Sequence, residues 1–345
     1  MDINNLIRDN IKTLKPYVSA RDEFKEFSSD LIFLDANENP FDNGVNRYPD
    51  PFQITLKSKL SEIKNISIDN ILLGNGSDEI LDLIIRVFCE PNADNIITLP
   101  PTYGMYEVLA NTNAVEIKSV MLNDNFQPDI SAILDKADTN SKILFLCSPN
   151  NPTANSLKAG IVEELLKSFQ GIVVIDEAYI DFSNEASWLG RLNEFPNLIV
   201  TQTLSKAFGM AGIRLGVCYA SKKIISTLNR IKPPYNINAL TQQKALDRLL
   251  DIGIVKTEIA TILNERDKLI QELSEVNFIN KVYPSDANFI LIKVDDAYKR
   301  YNQLLENGIV VRNRTHQPNC KNCLRFTVGT AIENNTLIKT LKNIQ

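Results

Sequence analysis

Ile172-Val173-Val174-Ile175-Asp176-Glu177-Ala178-Tyr179 runs four β-branched residues straight into two carboxylates and a phenol. An apolar run without alternation fits a strand buried on both faces, as in a parallel sheet between helix layers. Two neighbouring stretches repeat the design. Lys142 to Cys147 breaks into Ser148-Pro149-Asn150-Asn151-Pro152, and Leu198 to Thr203 breaks into Leu204-Ser205-Lys206. Taken singly, an Asn-Pro turn, a helix-capping Asp or a solvated Lys is ordinary. In open α/β sheets, however, ligands bind beyond the carboxyl ends of the strands, so three polar clusters at three strand ends are expected to meet in one crevice.

Working outward, Asn70 to Leu73, Asn95 to Leu99 and Leu215 to Ala220 also read as strands, with helical stretches between them such as Asp78 to Phe88. This alternation defines an α/β fold with a mainly parallel sheet over residues 30–220, preceded by a polar arm over 1–29. From Ser221 the pattern changes to amphipathic helices at Leu240 to Asp251 and Val255 to Val276. Strands at Phe289 to Val294, Ile309 to Arg312 and Leu324 to Val328 follow, with helices at Asp296 to Glu306 and Ile332 to Ile344. Residues 221–345 are therefore expected to form a smaller α+β domain. A length of 345 residues agrees with about two domains.

The composition excludes several classes of function. With 37 basic and 42 acidic residues, and no long run of like charge, nucleic-acid or polybasic membrane binding is not expected. No apolar run approaches the ~18–20 residues that span a bilayer, and Met1-Asp2-Ile3-Asn4-Asn5 lacks the build of a signal peptide. A cytoplasmic protein is expected. The 5 cysteines, odd in number and scattered, argue against a disulfide framework. His316 is the only histidine, so multi-histidine metal centres cannot be built within one chain. It lies in Arg314-Thr315-His316-Gln317-Pro318-Asn319-Cys320-Lys321-Asn322-Cys323, which reads as a polar loop; His316, Cys320 and Cys323 are one ligand short of a structural zinc site, and no metal is expected. Neither a P-loop nor a complete dinucleotide fingerprint is present, since Gly74-Asn75-Gly76-Ser77-Asp78-Glu79 lacks the third glycine.

The remaining residues suit one chemistry. A lysine directly after a buried strand loses solvation, which favours its neutral amine and Schiff-base formation. A nearby carboxylate can pair with a protonated ring nitrogen, so Lys206 and Asp176 match the two protein contributions to pyridoxal 5'-phosphate chemistry. Asn151 and Tyr179 are donors for the ring oxygen, and Tyr103 is placed to stack on the ring. The strand-to-helix turn at Gly74 to Asp78, with Ser77 as expected N-cap, offers backbone amides to a phosphate; Ser205, Lys206 and Arg214 add a hydroxyl and charge.

The series Asn37-Glu38-Asn39-Pro40, Gly76-Ser77-Asp78-Glu79, Pro101-Thr102-Tyr103, Ser148 to Thr153, Asp176 to Tyr179, Ser205-Lys206-Ala207-Phe208 and Ala211 to Gly216 resembles the class I/II aminotransferases of PLP fold type I. Lys15-Pro16-Tyr17-Val18-Ser19-Ala20-Arg21, Asn46-Arg47-Tyr48-Pro49, Val311-Arg312-Asn313 and Cys323 to Thr330 bring it closest to the branch acting on histidinol phosphate. The resemblance covers nearly the whole chain. It implies a mainly parallel seven-stranded sheet sandwiched by helices, and amino transfer between L-histidinol phosphate with 2-oxoglutarate and imidazole-acetol phosphate with L-glutamate.

By the same resemblance, Lys206, Asp176 and Tyr179 are catalytic. Gly76, Ser77, Asp78, Tyr103, Asn151, Thr203, Ser205 and Arg214 hold the cofactor, joined by Tyr48 from the other subunit of a homodimer. Tyr17, Asn37, Arg312 and Arg325 contact substrate, Arg312 at the phosphate of histidinol phosphate and Arg325 at the glutamate carboxylate. The chain departs from the family at Ala154, where glycine is usual. Aromatic aminotransferases and threonine-phosphate decarboxylases share the cofactor residues and differ only in substrate contacts. A PLP-binding protein without turnover is the non-enzymatic alternative, against which the intact lysine, aspartate and arginine count.

Overall fold

The computed structural model describes residues 2–17 and 32–344. Val18 to Arg21 of the N-terminal motif, and the expected boundary between residues 29 and 30, lie outside the described residues.

Seven strands, β1 (Ile71–Asn75), β2 (Asn95–Thr98), β3 (Glu116–Ser119), β4 (Ser141–Cys147), β5 (Ile172–Asp176), β6 (Leu198–Thr203) and β7 (Leu215–Ala220), form one sheet in the order β1-β7-β6-β5-β4-β2-β3. All neighbours pair in parallel except β7, which runs antiparallel to β1 and β6. Within β4, Ile143 and Phe145 enter one apolar layer while Leu144 and Leu146 enter the opposite one. Both faces are dry, which is why these strands read as continuous apolar runs. Full burial of each such side chain stabilises the fold by about 1.5–3 kcal/mol. By contrast β3, Glu-Ile-Lys-Ser at the sheet edge, is half exposed and gives no apolar run.

Helix α1 (Asp9–Thr13) belongs to the arm; α2 (Ile54–Lys64), α3 (Gly76–Phe88), α4 (Met105–Thr112), α5 (Ile130–Lys136) and α6 (Ala159–Ser168) accompany the large sheet. The arm is less solvated than its polar sequence suggests. Ile3, Ile7 and Ile11, spaced by four, are buried against the layer that contains Phe88, and Arg8 pairs with Glu90 at 2.9 Å. Helix α7 (Lys222–Ile231) lies beyond the expected boundary at residue 220, yet its Ile224, Ile225 and Leu228 pack into the same layer.

After α8 (Ala239–Leu250) and α9 (Ile252–Leu273), a second sheet forms in the antiparallel order β10-β11-β9-β8, from β8 (Ile279–Val282), β9 (Phe289–Val294), β10 (Arg312–Asn313) and β11 (Cys323–Thr327). Helices α10 (Ala297–Glu306) and α11 (Ala331–Asn343) accompany it. The strand expected from Ile309 shrinks to two residues: Gly308 has φ +77° and Ile309 N–H still bonds Leu304 O, so the chain is turning off α10. Strand β8, with both middle residues exposed, has no apolar pattern to reveal it.

Candidate active site

The ends of β4, β5 and β6 converge as the sequence implies. One cavity, with about 480 Å³ of free space including its mouth, is lined by Ser77, Asp78, Tyr103, Cys147, Asn151, Asp176, Ala178, Tyr179, Thr203, Ser205, Lys206 and Arg214.

Asp176 ends β5 and is buried, so desolvation pushes its carboxyl up to about 6 against hydrogen bonds that pull it down. Those bonds come from the Tyr106 hydroxyl at 2.8 Å and the Ala178 N–H at 3.2 Å. Tyr106, on α4, is itself fully buried and stacked on Phe145 with ring centroids 4.6 Å apart. It is the principal site-shaping residue absent from the sequence reading. Its only local signal is a position one helical turn after Tyr103, which does not distinguish a packing tyrosine from a functional one.

Lys206 and Arg214 sit on the connection between antiparallel β6 and β7. Leu204 N–H donates to Leu215 O at 3.0 Å, and Gly76 N–H donates to Arg214 O at 2.8 Å, so the loop is pinned at its base and tied to the start of α3. Lys206 lines the cavity, its ammonium 5.7 Å from the centre of the Tyr179 ring. Partial desolvation of the ammonium, then the positive charges of Arg325 and Arg214, lower its pKa from the ordinary lysine value. Thr203 Oγ1 accepts from Ser205 N–H at 3.1 Å, while Ser205 Oγ is buried without a partner.

The turn before α3 is closer than its sequence implies. Helix α3 begins at Gly76, with Asn75 as N-cap and no side-chain cap, so Ser77 lies inside the first turn; this corrects the N-cap expectation and leaves its hydroxyl facing the cavity. Gly76 has φ +72°, and a Cβ there would stand 2.6 Å from Arg214 Nη2. A Cβ on Gly216 would collide with the Gly76 backbone at 2.4 Å. Glycine therefore lets Arg214 and the helix amides share one concavity. Asp78 bridges Tyr103 Oη at 3.0 Å and Arg214 at 3.5 Å.

Asn151 Oδ1 accepts from Arg325 Nη1 at 2.5 Å, joining the large-sheet cavity to the small sheet. Arg325 faces Phe289 at 5.0 Å, and burial followed by the Arg314 charge lowers its pKa to about 10. Arg312 pairs with Arg325 across the strands but is exposed. Tyr17, Asn37 and Tyr48 are exposed and none lines the cavity; Tyr48 stacks on Tyr235 at 4.5 Å. Ala154, the departure from the family, is fully buried with φ +67°.

An orphaned hydroxyl, two cationic side chains and helix amides suit a phosphate, and a buried carboxylate opposite suits a protonated ring nitrogen. The cavity thus fits the two charged ends of pyridoxal phosphate.

Comparison with known proteins agrees. The family model described as aminotransferase class I and II matches residues 30–341. A Flavobacterium johnsoniae protein named histidinol-phosphate aminotransferase is 63% identical over 342 residues, covering 99% of this chain and 98% of that protein. The crystal structure of histidinol-phosphate aminotransferase from Clostridium acetobutylicum superposes with a TM-score of 0.80 at 27% identity, covering 87% of this chain and 91% of that one. The Sinorhizobium meliloti histidinol-phosphate aminotransferase, in complex with pyridoxal-5'-phosphate, shares the fold with a TM-score of 0.79 at 22% identity, covering 86% and 82% of the two chains.

Proposed function

The chain belongs to the class I and II aminotransferases, and on that premise we propose how the cavity at the ends of its strands carries out the family's chemistry. It is a pyridoxal 5'-phosphate-dependent aminotransferase of histidine biosynthesis, exchanging an amino group between L-histidinol phosphate with 2-oxoglutarate and imidazole-acetol phosphate with L-glutamate. The observation that carries the site assignment is the meeting of Lys206, Asp176 and Arg214 around one cavity.

Bound pyridoxal phosphate supplies an aldehyde that receives the amino group and a ring that accepts electron density. Lys206 Nζ would anchor it covalently and, once freed by substrate, would be the base that moves the proton between the substrate carbon and the cofactor. The lowered lysine pKa shifts that nitrogen towards its neutral form, the one that can accept a proton. Asp176 would keep the ring nitrogen protonated, and Tyr106 fixes that carboxylate. Asn151 and Tyr179 orient the ring oxygen, and Tyr103 covers the ring. Gly76, Ser77, Asp78, Thr203, Ser205 and Arg214 secure the phosphate end, Asp78 by orienting Arg214 and Thr203 by shaping the Ser205 turn.

Arg325 receives the glutamate carboxylate, and Arg312, Tyr17 and Asn37 approach histidinol phosphate from the rim. Tyr48 serves the cavity of a second copy in a homodimer, a reading supported by its exposure and its absence from the lining of its own cavity. Exposed Ile32, Leu34, Phe41, Val45 and Phe52 in the same segment supply apolar surface for that contact. We place the enzyme in the cytoplasm; among the described residues no helix is long and apolar enough to cross a membrane. The arm over 1–29, large domain over 30–220 and small domain over 221–345 divide this work, with α7 remaining docked on the large sheet.

The test is spectroscopic. Lys206→Ala is expected to lose the visible band of lysine-linked cofactor and all turnover while keeping its melting temperature. In the unsubstituted protein, histidinol phosphate is expected to bleach that band at far lower concentration than phenylalanine. A lower midpoint for phenylalanine would transfer the assignment to aromatic substrates, and turnover by Lys206→Ala would remove the lysine from its role.

A further inference from the structure

Strands β10 and β11 place Arg312 directly opposite Arg325, and Arg314 N–H donates to Cys323 O at 2.8 Å, extending the pairing by one residue. Side chains two apart on an extended strand share a face, so Arg312 and Arg314 emerge on the same side, with Arg325 across from the first. All three line one cavity together with His316 and Asn313. Among the described residues, no ion pair joins any of the three guanidiniums to a carboxylate. Arg314 Nε and Arg325 Nε are buried without hydrogen-bond partners.

One carboxylate, Glu333, lines the same cavity, but it is held by the Thr330 N–H and hydroxyl, and among the described residues no carboxylate stands within ion-pairing distance of these guanidiniums. Converging cations that repel one another are stabilised when an anion pairs with them, and unpaired buried donors call for an acceptor. Arg325 is already committed to Asn151 at the cofactor end, where one carboxylate matches one guanidinium. Besides Arg325, the face carries two further guanidiniums, Arg312 and Arg314, whose combined charge matches that of a phosphate dianion.

We infer that Arg314 is a specificity-determining residue that completes, with Arg312, a two-guanidinium clamp for the dianionic end of a phosphorylated amino donor. The inference rests on the function proposed above and deepens it. Arg314 occupies the inner, half-buried position and Arg312 the exposed one, so Arg314 makes the drier and stronger contact. Burial and the neighbouring Arg312 charge lower the Arg314 pKa from its ordinary value, as expected for a cation held ready for an absent counter-charge.

The experiment compares Arg314→Gln and Arg314→Lys in the holoenzyme, with L-histidinol phosphate, L-histidinol and L-glutamate as amino donors and inorganic phosphate as inhibitor. Melting temperature and the cofactor band serve as controls. Arg314→Gln is expected to lower kcat/KM for histidinol phosphate at least tenfold, mainly through KM, and to weaken phosphate inhibition in parallel. The loss for histidinol should be several times smaller. Arg314→Lys should recover part of both effects, because it keeps the charge and loses the fork. Equal losses for phosphorylated and unphosphorylated donors, or unchanged phosphate inhibition, would overturn the clamp. If Arg314→Gln fails to load cofactor, the lysine variant decides alone, by whether its phosphate inhibition weakens. An unsubstituted enzyme that shows no preference for histidinol phosphate over histidinol refutes the proposed function itself; a preference that persists in Arg314→Gln refutes only the role of Arg314.

Discussion

The floor and the wall of the active site are built on opposite plans. The floor, at the ends of β4 to β6, is dry: Asp176 and Tyr106 are buried and bonded to each other, and Lys206 stands on a loop pinned to α3. The wall, on the edge of the small sheet, is half open, and its arginines have few protein partners. The difference teaches where each kind of selectivity is stored. A cofactor that stays for many turnovers is met by fixed dipoles in a low-dielectric site, where electrostatic effects are largest. On the function proposed above, substrates that come and go would be met by half-buried and exposed guanidiniums that carry no ion pair beforehand.

If this contrast is correct, the largest effects come from the floor. Asp176→Asn should load cofactor but lower kcat by roughly 10²–10³-fold, in the range for loss of one preorganised electrostatic contact. A change under tenfold, measured by stopped-flow half-reaction, would break the contrast. Without cofactor the same carboxyl, raised from 3.8 to about 6, stabilises the fold relative to its charged form only while it is protonated. That contribution is complete below pH ~4 and is lost as pH rises through about 6, a difference of roughly 3 kcal/mol. Denaturant titration of the cofactor-free protein from pH 4 to 8 should show this decline, and Asp176→Asn should flatten it.

At the seam between floor and wall, Arg325→Gln removes a positive neighbour of Lys206. The lysine pKa should rise towards its ordinary value, moving the acid limb of the cofactor-attachment rate to higher pH. An unmoved limb would show that the wall does not tune the floor.

The smallest effect is expected at Ala154, whose carbonyl accepts from Asp286 N–H at 2.7 Å and so ties the two halves together. Its left-handed backbone costs about 1–2 kcal/mol, which Ala154→Gly would relieve. The variant would also lose a buried methyl, worth about 0.8 kcal/mol, and gain about 0.4–1 kcal/mol of unfolded-state entropy. These nearly cancel, so thermal denaturation should register less than about 1 kcal/mol in either direction. A larger shift would mark a further role for this turn.

The sequence by itself determined the parallel core, because strands buried on both faces must be apolar throughout and their ends must then turn polar. Lys206, Asp176, Asn151 and Tyr179 were legible for that reason, and the glycines of the phosphate turn were legible because close approach excludes a side chain. The half-exposed strands β3 and β8 were not, since without a dry face there is no pattern. Only the tertiary structure decided that Tyr106 bonds Asp176 across 70 residues, that Ser77 lies within the helix it was expected to cap, and that Ile3, Ile7 and Ile11 are covered. It alone set Arg314 beside Arg312 and Arg325, because strand register, unlike local periodicity, depends on which distant residues pair.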